Sequence, residues 1–391
     1  MLNTSFAPWP SFTEEEITAV SAVLRSNKVN YWTGQHGQAF EQAFAKFTDC
    51  RHAVAVANGT LALDLALKTL NISPGDEIIV TSRTFIASVS CIINAGAIPV
   101  FADIDYDSQN ISAETISKVL TDKTRAIICV HLAGWPCEMD EIMALATEHK
   151  LYVIEDCAQA HGAKYKGRSV GSFGHIGAWS FCQDKIMTTG GEGGMVTTND
   201  EVVWKTMWAY KDHGKSWDAI YKTEHPPGYR WLHESFGTNW RMSEIQAVIG
   251  RLQLKRMANW TSQRQKNGTA IDDIASKFKV TRVVRVPDHL EHAEYKHYIF
   301  VRPEYLVVGW SRDRIIEEIN SRGVPCFQGT CSEVYLEKAF DGSGFKPKTR
   351  LPIAKELGET SLMFLVHPTL TDIDVLKTRQ VIGEVLELAQ K

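Results

Sequence analysis

Leu151-Tyr152-Val153-Ile154-Glu155-Asp156 is the last of a series of short apolar, largely β-branched runs. Glu77-Ile78-Ile79-Val80, Pro99-Val100-Phe101-Ala102 and Arg125-Ala126-Ile127-Ile128-Cys129-Val130 precede it, each separated from the next by a segment of helical period. The series occupies about residues 53–199, and strands that alternate with helices predict βαβ units and a mainly parallel sheet, an α/β fold. The mostly apolar span 78–104 is read as strand, helix, strand and not as a membrane helix. Thr81, Ser82, Arg83, Thr84 and Asn94 interrupt it, and Gly96 and Pro99 punctuate its second half. Residues 210–239 carry Trp, His, Lys, Gly and the pair Pro226-Pro227 with no sustained period, the mark of a long functional loop. Apolar spacing from Met242 to Leu254 then predicts the opening of a long helix that bridges to a second domain. Beyond it the pattern is α+β, with helices expected near 270–277 and 311–322, a strand near 298–302 and a final helix over 372–388. The chain is accordingly divided into a large domain with an N-terminal arm, residues 1–250, and a small C-terminal domain, residues 251–391.

A hydrophobic fraction of 44% with 23% charged residues is ordinary globular composition and supplies a sizeable core. A formal net charge of −4, without any run of five like charges, gives no field for nucleic acid or an anionic membrane surface, so an anionic ligand must be held locally. The start Met1-Leu2-Asn3-Thr4-Ser5 lacks a basic, then apolar, secretory pattern, and a cytoplasmic protein is the expectation. Eight cysteines without a CxxC pair read as free thiols. Cys157 and Cys182 are expected to pack as small hydrophobes. Cys326 and Cys331 flank a turn-like Gln328-Gly329-Thr330 but have no neighbouring histidine or second cysteine pair, so no metal site is expected.

The chemistry is concentrated around Trp179-Ser180-Phe181-Cys182-Gln183-Asp184-Lys185-Ile186-Met187-Thr188-Thr189-Gly190-Gly191-Glu192-Gly193-Gly194. A lysine ahead of glycines is most often a solvated surface residue. Here, however, Asp156 ends a neighbouring apolar strand, and a buried aspartate requires a cationic partner. A lysine for a covalent imine and an acid for a pyridinium nitrogen are the pair that pyridoxal phosphate (PLP) demands. Asn58-Gly59-Thr60 precedes the helical run Leu61-Ala62-Leu63-Asp64-Leu65-Ala66-Leu67, so Gly59 and Thr60 offer backbone N–H groups and a hydroxyl to a phosphate; a plain helix cap is the simpler alternative. Phe85 follows a strand at its carboxyl end and is placed to stack on a flat ring, with core packing as the alternative. Ser180 offers a second hydroxyl to phosphate.

Five ordered segments carry a resemblance: Ala57-Asn58-Gly59-Thr60, Thr84-Phe85-Ile86-Ala87-Ser88, Glu155-Asp156-Cys157-Ala158-Gln159-Ala160-His161-Gly162, Gly190-Gly191-Glu192-Gly193-Gly194 and Gly237-Thr238-Asn239-Trp240-Arg241-Met242-Ser243-Glu244-Ile245-Gln246-Ala247. Together they resemble the DegT/DnrJ/EryC1/StrS family of sugar aminotransferases over nearly the whole chain. The resemblance implies the aspartate-aminotransferase fold (PLP fold type I), a mainly parallel seven-stranded sheet flanked by helices plus a smaller α+β domain, and PLP as cofactor. It implies Lys185 as the Schiff-base lysine, Asp156 as the partner of the pyridinium nitrogen and Gln159 as the residue against the ring hydroxyl. Gly59, Thr60 and Ser180 would bind the phosphate and Phe85 would stack on the ring. Asn239 would reach the phosphate from the neighbouring subunit, making a homodimer with shared active sites whose monomer is inactive. The implied reaction is ping-pong transfer of an amino group from glutamate to a keto group of a nucleotide-linked deoxysugar, for a surface polysaccharide such as O-antigen lipopolysaccharide. A dehydratase branch of the family has histidine in place of the lysine, and Lys185 argues against it. A regulator that binds cofactor or sugar without turnover is the alternative of another class.

Two segments depart from the family pattern. The His-Tyr pair common after the small-domain turn is missing from Gly323-Val324-Pro325-Cys326-Phe327-Gln328-Gly329, and Gln183-Asp184 replaces small or apolar residues ahead of the lysine. For Asp184 two placements are open, facing solvent or favouring the protonated lysine. His213, Lys215, Trp217, His225, Arg230 and His233 supply cations and rings able to meet a diphosphate, with a solvated loop as the equal alternative.

Overall fold

The computed structural model describes residues 6–391. Its central sheet has seven strands: β1 (His52–Val56), β2 (Glu77–Thr81), β3 (Ile98–Ala102), β4 (Thr124–Val130), β5 (Tyr152–Asp156), and, after the two-residue strands β6 (Lys164–Tyr165) and β7 (Arg168–Ser169), β8 (Ile176–Ser180) and β9 (Gly194–Thr198). Their order is β1-β9-β8-β5-β4-β2-β3, and β9 alone runs against the rest. The expected mainly parallel seven-stranded sheet is therefore present.

Alternate side chains of these strands enter cores on opposite faces. Val54, Val56, Ile78, Val80, Ile128, Ile154 and Val196 join one, while Ile79, Ile127 and Val153, with Ala53, Ala55 and Trp179, lie on the other. Burial on both faces is why the sequence reads as continuous apolar runs and not as an apolar–polar alternation. The crossover helices include Gly59–Thr69, whose N-cap Asn58 accepts a hydrogen bond from the N–H of Leu61 at 2.9 Å, and Ala87–Asn94. The parallel strands all point their carboxyl ends to one edge of the sheet, which is where a ligand crevice forms in such folds.

The later chain forms a four-stranded antiparallel sheet, β10 (Thr281–Arg282), β12 (His297–Val301), β14 (Ser361–Phe364) and β13 (Cys326–Phe327), in that spatial order; β11 (Leu290–Glu291) instead pairs with β6. The strand and the helices expected near 298–302, 311–322 and 372–388 lie at His297–Val301, Arg312–Ser321 and Asp372–Ala389. Two expectations are corrected. The single bridging helix is two, Glu244–Leu254 and Met257–Ala275, and the helix expected near 270–277 is the end of the second. They part at Lys255–Arg256, where Arg256 turns to bind Glu15 (2.7 Å) and Glu16 (3.0 Å) of the helix Glu14–Arg25. A division at 250/251 falls inside the helix Glu244–Leu254. Segments beyond it pack back on the large sheet, since Val334, Tyr335 and Phe340 join one of its cores and Ala354 and Leu357 the other. Among the described residues no helix is long and apolar enough to cross a membrane.

Candidate active site

A cavity of about 970 Å³ opens at the carboxyl edge of the large sheet, and Gly59, Thr60, Phe85, Asp156, Gln159, Ser180 and Lys185 all line it. Asp156 ends β5, directly beside Ala178 of β8 in the ladder, so the strand geometry that buries Ile154 also aims this carboxylate into the crevice. Its Oδ2 accepts from the Ser88 hydroxyl at 2.7 Å and its Oδ1 from the Ala158 N–H at 3.1 Å. Thr84 continues the chain through a 2.8 Å contact with Ser88. Among the described residues no basic side chain pairs with Asp156. A buried carboxylate held only by neutral donors is suited to a cationic ligand atom.

Gly59 opens the helix against Ser180: a Cβ added at Gly59 would lie 2.5 Å from the Ser180 Cβ. The two backbones thus close into a cradle that any side chain would fill. Gly194 completes it, because a Cβ there would stand 2.3 Å from the Asn58 carbonyl oxygen. Ser180 Oγ accepts weakly from the Cys182 N–H at 3.3 Å and keeps its own proton to donate. Gln159 spends its carbonyl oxygen on the Ala133 N–H at 2.8 Å, leaving its amide NH₂ for an acceptor in the cavity. Phe85 is 65% exposed, with its ring on the cavity and outside the core.

The backbone of Lys185 is fixed at both ends, its N–H donating to Cys182 O at 3.1 Å and its carbonyl accepting the Trp9 indole N–H at 2.8 Å. Its Nζ lies 5.2 Å from the centroid of the Tyr295 ring. Asp184, whose placement the sequence left open, accepts the Tyr295 hydroxyl and borders two cavities. Burial raises the Asp184 pKa, but Lys185 and the Tyr295 hydroxyl outweigh it and hold the carboxylate below its usual value. Both burial and Asp184 push the Tyr295 hydroxyl well up. Of the remaining residues that sequence singled out, His161 is in the core among Phe44, Trp179 and Phe181, and burial drives its pKa down to about 3. Cys157 is buried and all eight cysteines are free thiols.

Asn239 does not join its own chain's cavity. It is exposed and bridges to Asp212 at the base of the loop 210–239. Nor does this cavity include His213, Lys215, Trp217, His225, Arg230 or His233. Lys215 instead pairs with Asp212 at 3.2 Å, and Trp217, in the short helix Trp217–Tyr221, packs tilted against Trp204 and edge-on against Trp208.

Sequence reasoning missed the opposite wall, made by Tyr295, Lys296, Thr330 and Cys331. It is stitched to the first wall by backbone bonds, Tyr295 N–H to Ala133 O (2.8 Å) and Ala293 N–H to Gly134 O (2.9 Å). Behind it stands the helix Met257–Ala275, whose Arg264 donates to the carbonyls of Glu294 and Tyr295, each at 3.3 Å. No local motif marks Lys296; the only signal was an isolated lysine ahead of a strand.

A lysine, a buried carboxylate and a helix-terminal phosphate seat, gathered at the carboxyl edge of this sheet, define a pyridoxal-phosphate enzyme of fold type I. The sequence profile of the DegT/DnrJ/EryC1/StrS aminotransferase family matches residues 10–385, and the chain belongs to that family. It is 35% identical to GDP-perosamine synthase of Escherichia coli O157:H7 over 379 residues, 96% of each chain. Its fold is similar to an aminotransferase from Psychrobacter cryohalolentis, with a TM-score of 0.96, 63% identity and coverage of 98% and 99%. It is also similar to the PLP form of Streptococcus pneumoniae Spr1654, with a TM-score of 0.86, 26% identity and coverage of 98% and 99%. The protein is therefore a PLP-dependent aminotransferase.

Proposed function

We propose that this enzyme moves an amino group from glutamate to a keto group of a nucleotide-linked sugar. The observation that carries the proposal is the placing of Asp156 and Lys185 in one cavity, with the carboxylate buried among neutral donors and the amine free of any hydrogen-bond partner among the described residues. When bound, PLP supplies an electron sink for the carbanion formed at the donor's α-carbon.

Each residue contributes a separate part. Gly59, Thr60 and Ser180 hold the phosphate with backbone N–H and hydroxyl donors at the start of the helix Gly59–Thr69. Asp156 would pair with the ring nitrogen, and Ser88 and the Ala158 N–H hold and aim its carboxylate. Gln159 donates its amide to the ring hydroxyl, and Phe85 covers a face of the ring. Lys185 Nζ anchors the cofactor, is released by the incoming donor and then takes the proton from the donor's α-carbon. Lys185 would carry that proton back to the cofactor side of the cavity and, with the sugar substrate bound, would run the same transfers in reverse, which predicts ping-pong kinetics. Asn239 serves the cavity of a second subunit, which accounts for its exposure on this chain and for a homodimer with shared sites. The nucleotide-sugar acceptor rests on the name of the E. coli relative, GDP-perosamine synthase.

The test is spectroscopic. Purified protein loaded with PLP should show a visible band that borohydride abolishes and that glutamate converts; keto-sugar nucleotides should restore it. A protein that stays colourless with added PLP would remove the enzymatic reading. A coloured protein inert to every amino donor would favour a regulator.

A further inference from the structure

A second cavity of about 470 Å³ adjoins the first, and Asp184, Tyr295 and Lys296 line both. Phe6, Pro8, Trp9, Phe327 and Val366 give it an apolar lining, but it also contains Arg264 and Lys296. Arg264 is 1% exposed, with its Nη1 committed to two carbonyls and its Nε and Nη2 without any hydrogen-bond partner. Trp9 lies over the guanidinium at 5.0 Å. Lys296 Nζ is 4.7 Å from the Tyr295 ring centroid, on the same ring that Lys185 approaches to 5.2 Å, and it has no ion-pair or hydrogen-bond partner among the described residues. Three cations thus converge where one carboxylate, Asp184, is engaged with the Tyr295 hydroxyl. His367, on the same wall, stays neutral because burial, Arg264 and Lys296 push its pKa to about 3.

A buried guanidinium with two unsatisfied nitrogens, beside two half-buried lysines without partners, calls for an anion. The cavity's apolar walls suit methylene groups. Resting on the aminotransferase reading above, we infer that Lys296 anchors a carboxylate of the amino donor at the seam of the two cavities, so that the second cavity is the donor's seat. Arg264 adds a second positive centre deeper in that cavity, and the donor that answers both is an α-amino dicarboxylate, whose carboxylates are separated by methylene carbons. A neutral amino acid would leave one centre uncompensated. Lys296 touches the donor and not the bond being made, so its replacement should weaken donor binding without slowing the chemical step.

The experiment titrates the visible band of the PLP-loaded Lys296→Met enzyme with glutamate in the absence of sugar. Succinate binding is measured alongside by calorimetry. The expected result is an apparent Kd for glutamate raised about tenfold or more, the loss of one charge-assisted contact, with the limiting rate within about threefold of wild type. Succinate binding should weaken in parallel, Lys296→Arg should recover most of both, and the KM for the sugar substrate should hold. An unchanged glutamate Kd together with unchanged succinate binding would overturn the assignment, as would a defect confined to the sugar half-reaction. If no amino donor shifts the wild-type band, the aminotransferase reading fails first and takes the assignment with it. Should Lys296→Met not fold, succinate binding to the wild-type enzyme remains a test. The groups facing Lys296 are Asp184, Lys185, Tyr295, Arg264 and His367; burial lowers the Lys296 pKa to about 8, with Asp184 opposing and Arg264 and Lys185 reinforcing. Succinate affinity should therefore fall as pH rises through about 8, and a flat profile from pH 7 to 9 would count against the assignment.

Discussion

The two walls of the active-site cavity are built in different ways. The sheet-side wall comes from strand ends, where Asp156, Ser180 and Gly59 take their places directly from the register of β5 and β8 and the start of the adjoining helix. The facing wall lies just ahead of β12 in the smaller sheet, outside the register of the large one. Tyr295 and Lys296 are held by backbone bonds to Ala133 and Gly134, by Arg264 from a distant helix, and by a buried charge cluster in which His297 contacts Glu294 (3.0 Å) and Asp272 (2.8 Å). On the proposed reading the first wall holds the groups that do chemistry, while the second holds groups that select a ligand and whose placement depends on the global fold.

Substitutions should separate the walls. The largest effect is expected for Lys185→Ala, which should lower turnover on the order of 10⁴-fold and abolish the borohydride-sensitive band. Asp156→Asn should lower kcat about 10²- to 10³-fold while PLP stays bound, as stopped-flow half-reactions with glutamate would register. A loss confined to KM would place Asp156 outside the chemistry. Gly194→Ala tests the packing of the same wall: its Cβ would meet the Asn58 carbonyl at 2.3 Å, and a destabilisation of about 2 kcal/mol is expected by urea denaturation.

The smallest effect belongs to the second wall. Burial lowers the His297 pKa, but Glu294 and Asp272 more than reverse this and raise it to about 10. With a folded pKa above the unfolded one, this contribution to stability is fully present below about pH 6.5 and is lost as pH rises through about 10. His297→Gln should therefore cost on the order of 1 kcal/mol at pH 7 and flatten the decline in stability between pH 7 and 10. An unaltered slope would show that the cluster does not tie down this wall.

The difference in construction also explains what could be read from the sequence. Strands buried on both faces leave β-branched runs, and the residues at their carboxyl ends carry short motifs, so Asp156, Gly59, Thr60, Ser180 and Lys185 could be placed on one edge from the sequence. Gln159, three residues past the end of β5, was assigned only through the family resemblance. Lys296 was not, because nothing near it in sequence says that a helix beginning some forty residues earlier will bury Arg264 behind it. The helix break at Lys255–Arg256 was hidden by apolar spacing that runs on toward Met257, although Arg256 answers to Glu15 and Glu16, some 240 residues earlier in the chain. For Asp184 the sequence left two placements open, and the fold leaves it exposed to solvent while bringing the Tyr295 hydroxyl to its carboxylate.

Both Lys185 and Lys296 reach the Tyr295 ring, and both line the same cavity, so the central claim is a choice between two amines. Borohydride reduction of the PLP-loaded protein, followed by proteolysis and mass spectrometry, makes that choice directly. The phosphopyridoxyl mass should be found on the peptide carrying Lys185, with Lys296 unmodified. Label on Lys296, or no label on either peptide from a coloured protein, would contradict the account.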